Sequence, residues 1–299
     1  MSTSVQAPTN LQKQLLGVYQ PGSNHVVGDG FHVRNFFPSQ ELGAEVSPFL
    51  LLDYAGPTYY APSLQPRGVG EHPHRGFETV TIVYQGAVEH RDSAGNAGTI
   101  RTGDVQWMTA ASGIVHEEKH EKEFARRGGT LEAVQLWVNL PRAMKMGPPR
   151  YQTLLNGDIP VVSLEHGAGS LRVIAGEFQG PKGPAMTATP IQLYDLKLKA
   201  GRPIKLSFRS EWHASLCILH GQVMFNENQT AQAAELAVFG ATGEQISIEA
   251  QQDATILVMS GEPIPEPIAR YGPFVMNTQA ELVEAMKDYQ AGKMGHLHD

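Results

Sequence analysis

His116-Glu117-Glu118-Lys119-His120 spells the H-E-x-x-H pattern, in which a helix sets two imidazoles four residues apart on one face with a glutamate beside them as general base. The neighbouring residues do not support such a helix. Gly113, Ile114 and Val115 stand where a long apolar helix would run, Glu118 and Lys119 put charges between the two histidines, and no third ligand follows at a protease spacing. A metallopeptidase is therefore disfavoured, and an extended geometry suits the same residues better. In a strand, residues two apart share a face, so His116 and Glu118 point one way. Upstream, in EHPHRGFETVTIVYQG, His72 and His74 do the same across Pro73, and that parity carried forward adds Glu78. Two such pairs, on separate strands of one small barrel, can converge on one metal ion from its interior. His90, His120, His166 and His220 read as structural or solvated, and Glu117 to Glu123, Glu118 apart, as a charged surface turn. His296 and His298 repeat the H-x-H spelling with no barrel after them and read as a frayed tail.

The elements that must position these groups are strands. Runs such as FLLLDY, TVTIVYQGAVEH, EAVQLWVNL, IQLYDLKL and SLCILHGQVMF, separated by Gly, Pro, Asn or Asp, predict an all-β fold of sandwiches or barrels. The one convincing helix runs from Thr278 to about Gln290, opened by the capping box Thr278-Gln279-Ala280-Glu281 and carrying Leu282, Ala285 and Met286 on one stripe. Placing YQGAVEH over LHGQVMF aligns Gly86 with Gly221 and suggests two related β modules. Pro141, Pro148 and Pro149 mark the break between them, giving an N-terminal module over residues 1–165 and a C-terminal module over 166–299. Counting back from Gly221 puts Ser207, Arg209 and His213 where the first module has His72, His74 and Glu78, so the second is expected to be metal-free.

Composition narrows the function classes. The 299 residues are 41% apolar and 18% charged, ordinary for a soluble globular chain of two domains. A net charge of -7 gives no electrostatic reason to bind nucleic acid or an anionic membrane surface. Cys217 is the only cysteine, so an intrachain disulfide and a Cys-rich metal site are both excluded, and the residue reads as a buried strand position. The N-terminal stretch lacks a signal-peptide pattern and no apolar run approaches the ~20 residues of a membrane span, so a cytoplasmic protein is expected.

The segments HPHRGFETV, GDVQWMTAASGIVHEE, QLWVNLP and PFLLLD together resemble the pirins, members of the cupin superfamily, over most of the chain. The resemblance implies a bicupin fold: two β-barrel or jelly-roll modules, the second degenerate and metal-free, with a C-terminal helical tail that returns to pack on the first. Carried over by position, the pirin iron ligands fall on His72, His74, His116 and Glu118, and Glu78 matches a cupin glutamate expected to orient the site. Thr109 stands near the usual cupin proline and the interval from Gly103 to His116 is long, departures that pirins share. One divalent metal per chain is implied, iron (Fe2+) first, with Mn, Ni, Co or Cu also suited to a thiolate-free N/O site. Some pirin-like proteins are known as quercetin 2,3-dioxygenases, so the resemblance implies oxidative ring opening of a flavonol or similar aromatic enediol by O2. In that reaction Glu118 or Glu78 would take the 3-hydroxyl proton, and Asp53, Phe77 and Trp107 are candidate substrate contacts, although Phe77 and Trp107 also suit wall and core. The alternative it implies is a non-catalytic, iron-binding, redox-sensitive regulator acting through a protein partner. An acidic chain without a basic patch argues against direct reading of DNA.

Overall fold

A computed structural model of the chain describes residues 12–38 and 42–297. Short apolar runs broken by turn residues become 24 strands among the described residues, so the all-β expectation holds. In the first module a seven-stranded sheet orders Arg150–Leu154, Val105–Thr109, Phe77–Gln85, Gly129–Asn139, Phe49–Tyr60, Phe31–Phe37 and Asn24–Val27. A four-stranded sheet of Gly68–His74, Ile114–His120, Ala87–Asp92 and Ala97–Arg101 completes it. The second module repeats the plan, its large sheet centred on Ala214–His220 and Ala254–Gly261, its small one built from Ile204–Ser207, Gln245–Ala250, Gln222–Phe225 and Gln229–Gln232. Each is thus a double-sheet jelly roll. The strand Leu15–Tyr19 crosses over to pair with Glu235–Phe239, and Val161–Ser163 also belongs to the second module's large sheet.

Strand alternation decides what each face does. On the first large sheet Leu52, Tyr54, Val80, Ile82, Val134 and Leu136 share one face and pack with Leu193, Cys217, Leu236 and Leu257 of the second, joining the modules through one apolar core. Cys217 is buried on its strand, as expected. The interior of the second module is closed by a continuous apolar cluster that includes Leu206, Phe208, Phe225, Ile246 and Ile248. The interior of the first is not, and its polar face is where the site lies.

The C-terminal segment returns to the first module. Its helix, Gln279–Gln290, starts at the expected capping box: Thr278 Oγ1 accepts from Glu281 N at 3.3 Å and Glu281 Oε2 accepts from Thr278 N at 2.8 Å. Leu282 and Ala285 pack with Val115, Phe274 and Met276. Ahead of the helix, Arg75 N donates to Pro273 O and Val275 N to Arg75 O, so the tail runs along the end of the strand that carries His74. Lys145 fixes this join, its buried Nζ donating to Gly76 O at 2.6 Å, Asn139 Oδ1 at 2.7 Å and Val275 O at 3.0 Å. The charged turn read at Glu117–Glu123 is in fact the end of a strand followed by a short helix, Lys122–Arg127, capped by Glu121 and burying Phe124 and Ala125. No helix among the described residues is long and apolar enough to cross a membrane.

Candidate metal centre

His116 and His120 lie on a strand, Ile114–His120, which settles the H-E-x-x-H spelling. At about 3.3 Å of rise per residue their Cα atoms stand roughly 13 Å apart, too far for one ion. His120 instead packs its ring against Tyr60, Phe31 and Phe124 and bonds through Nε2 to Gly30 O at 2.8 Å.

The other pairing does converge. Ile114–His120 runs antiparallel to Gly68–His74, with His116 opposite His72 and Ile114 opposite His74. The ladder slips between His116 and Glu118, which face His72 and Val69, a bulge of the kind that re-aims side chains. Donor atoms of His72, His74 and His116 all lie within 4.8 Å of one another, and a second group of the same span joins His116 to Glu118 and His90. His72 Nδ1 is 2.7 Å from Gly70 O. A carbonyl only accepts, so this nitrogen carries a proton and Nε2 is the nitrogen left to face an ion. His74 Nδ1 and His116 Nε2 are buried and have no hydrogen-bond partner. Burial, reinforced by the neighbouring imidazoles, pushes the pKa of both rings well below the ordinary histidine value. Neutral rings with unpartnered buried nitrogens, beside a carboxylate, are what an N/O-ligated divalent ion takes up. The residues therefore fit such an ion.

Glu118 is held by its surroundings: Thr81 Oγ1 lies 3.0 Å from Oε1, and Gln135 Nε2 lies 3.4 Å from Oε2. Beside it opens a cavity of about 240 Å³, walled by His72, His74 and Glu118 on one side and by Val27, Phe31, Val33, Leu51 and Trp137 on others. Asp53 lines the same cavity, accepting from Asn35 Nδ2 at 2.7 Å, and burial raises its pKa above the usual carboxylate range while the Asn35 bond offsets part of that rise.

The remaining sequence candidates stand elsewhere. Glu78 does not line the cavity. The turn at Arg75 and Gly76 ends the parity run, so that on Phe77–Gln85 it is Thr81 that reaches the cavity, while Glu78 is on the side of Val80 and Ile82. Its Oε1 accepts from Thr109 Oγ1 at 2.7 Å, and burial raises its pKa. Trp107 belongs to the core between the modules. Phe77 lies outside the cavity lining and stacks on Trp137 at 4.2 Å, backing the wall rather than forming it. Sequence reasoning missed Trp137, Thr81 and Gln135, although strand alternation from Asp53 and its partner Gln135 could have found them. It also set His90 aside, which is fully buried against His116. His296 approaches Glu71 at 3.9 Å, and His298 lies outside the described residues.

The second module's ladders show what replaces the candidate ligands. With Gly86 over Gly221, Val88 matches Val223, which pairs with Ala250 as Val88 pairs with His120. Ile246 then stands for His116, and its partner Leu206 for His72. These positions, and Phe208 for His74, are apolar and packed into the interior. The count to Ser207 and Arg209 was one residue out, and in a strand one residue exchanges the faces.

Comparison with known proteins agrees with this geometry. The family model Pirin matches residues 30–138 and the model Pirin C-terminal cupin domain matches residues 193–295. A Pseudomonas aeruginosa protein named provisionally as a quercetin 2,3-dioxygenase is 51% identical over 286 residues, covering 96% of this chain and 100% of its own length. A pirin-like protein of tomato, Solanum lycopersicum, is 43% identical over 272 residues, 90% of this chain and 88% of that one. The crystal structure of a quercetin 2,3-dioxygenase from Acinetobacter baumannii superposes with a TM-score of 0.93 at 48% identity, covering 96% of this chain and 100% of that one.

Proposed function

The chain belongs to the pirin family, and on that premise we propose that it is a metal-dependent dioxygenase that opens the ring of a flavonol or similar aromatic enediol. The observation that carries this reading is the cavity: an apolar chamber with His72, His74 and Glu118 in its wall is a place for a flat, largely apolar substrate to meet an ion. His72, His74, His116 and Glu118 would hold that ion, with Fe2+ the first candidate and Mn, Ni, Co or Cu compatible with the same donors. A bound divalent ion supplies Lewis acidity toward a substrate oxygen and, where redox-active, one-electron chemistry toward O2.

The chain's own groups do the rest. Glu118, fixed by Thr81 and Gln135, is the carboxylate best placed to take the proton of a substrate hydroxyl entering from the cavity. Asp53 offers a hydrogen-bonding group within apolar walls, which fits a ring hydroxyl at the end of the substrate remote from the ion. Val27, Phe31, Val33 and Leu51 exclude water, and the face of Trp137 gives an aromatic ring a surface to stack on. Glu78 braces the neighbouring strand through Thr109. The test is O2 uptake and carbon monoxide release by metal-replete protein given quercetin. Uptake in step with the flavonol, with carbon monoxide in equal amount, is expected. No uptake above the flavonol's own autoxidation with any of the five metals would refute the reading, and partner binding that follows the redox state of bound iron would then put the regulator in its place.

A further inference from the structure

Behind His116 stands a buried polar chain that the proposed reaction does not use. The strand Ala87–Asp92 pairs with the ligand strand so that His90 faces Glu118 and Asp92 faces His116. Strand parity turns these side chains the same way. His90 Nδ1 lies 3.2 Å from His116 Nδ1, Gln106 Nε2 lies 3.0 Å from the same His90 nitrogen, and His90 Nε2 is 3.5 Å from Asp92 Oδ2. Asp92 is itself anchored, its Oδ1 accepting from the backbone of Ala94 and Asn96. The His90 ring is stacked on Tyr151 with centroids 5.0 Å apart, and His90, Asp92, Gln106 and His116 are all buried.

Two ring nitrogens can hydrogen-bond only if one carries a proton and the other does not. The Asp92 carboxylate only accepts, so His90 turns a protonated Nε2 toward it. The Gln106 amide nitrogen is a donor 3.0 Å from His90 Nδ1, which marks that nitrogen as the acceptor, its lone pair shared between Gln106 and His116. His116 Nδ1 must then donate to His90, which leaves the lone pair of His116 on Nε2, the buried nitrogen with no partner in the protein. We infer that the Asp92–His90 pair sets the tautomer of His116 and so presents Nε2 to the metal position, His90 acting as a positioning residue and not as a ligand. This inference rests on the metal reading above. The rival is direct ligation by His90, since its donor atom also lies within 4.8 Å of those of His116 and Glu118.

The tautomer can be read in metal-free wild-type protein by long-range ¹H–¹⁵N correlation of labelled histidines. A proton on Nδ1 of His116 and on Nε2 of His90 is expected, and His116 protonated at Nε2 overturns the inference without recourse to any variant. A second arm uses Co(II) as the probe, competed against a chelator. His90→Phe fills the space without an acceptor and should weaken Co(II) binding by roughly 10–100-fold, the usual cost of losing a group that orients a ligand. His90→Gln restores an acceptor and should recover most of the loss, with a Co(II) d–d spectrum like the wild type. Equal losses in both variants reduce His90 to packing, and a spectrum changed in both makes it a ligand; either result overturns the proposal. A wild type that binds no Co(II) removes the metal reading and the aiming role with it, and the tautomer spectrum tells that outcome apart from an error in the proton assignment.

Discussion

Burial among neighbouring imidazoles holds His74 and His116 neutral, the state in which imidazoles can take up an ion instead of repelling one another. His74→Ala or His116→Ala should therefore abolish tight metal binding while leaving the β circular dichroism intact; metal content unchanged in both would contradict the assignment. Glu118→Gln, compared at matched metal occupancy, should lower turnover by about 100-fold or more if the carboxylate takes the substrate proton. Asp53 makes a pH-dependent prediction. Burial raises its folded pKa above the unfolded value, so the folded state binds more protons in the window between them and loses stability as pH rises through it. Asp53→Asn should thus melt higher than wild type at neutral pH, with the advantage shrinking as pH falls toward the unfolded carboxyl pKa, and should raise KM for a hydroxylated substrate. A melting difference independent of pH would show that the buried charge of Asp53 is not its cause. His72, His74, His116 and Glu118 were legible as pairs because each pair sits on one strand, where parity needs no tertiary information. Glu78 was misplaced because Gly76 adopts φ +89°, where a Cβ would run into Val275 O, and such a turn resets parity in a way that spacing alone does not reveal. His90 was missed because its place beside His116 is set by the strand it pairs with.

At the scale of elements, the strand carrying His74 is held from behind by the tail, and Lys145 is the join. Burial lowers its pKa to about 8, and three acceptors surround its Nζ. Lys145→Met should destabilise the protein by on the order of 2–4 kcal/mol, because it strands buried acceptors with no donor. Hydrogen exchange should locate the loosening at residues 273–276 and around Gly76; protection unchanged there would show that the lysine is not the join. The capping box and the apolar stripe made the C-terminal helix readable to within a residue. The short helix Lys122–Arg127 was not, since six residues carry too little periodicity and its stability comes from Phe124 packing with Val83, Val88 and Leu131. The second module's inward positions were misread by one residue for a similar reason: the glycine alignment marks a hairpin, but only the ladders show which residues face in.

The whole molecule is two jelly rolls, each completed by parts of the chain outside it. Their large sheets share one apolar core, the strand Leu15–Tyr19 completes the second sheet, and the tail after it completes the first. Residues 1–165 expressed alone should therefore aggregate or bind metal weakly, as analytical ultracentrifugation with metal analysis would show; a monomeric, metal-tight fragment would contradict the interdependence. Two modules and a tail were visible in the sequence as repeat, prolines and cap, whereas the crossing of the N-terminal strand, which depends on a partner more than 200 residues away, was not. The central claim is that the first barrel alone carries a metal, on His72, His74, His116 and Glu118. Anomalous diffraction from crystals of metal-replete protein, collected at that metal's edge, tests it most directly. One peak per chain is predicted, bonded to those four side chains, with none inside the second barrel; a peak ligated by His90 or His120, or in the second barrel, or no peak from protein that metal analysis finds fully loaded, would contradict it.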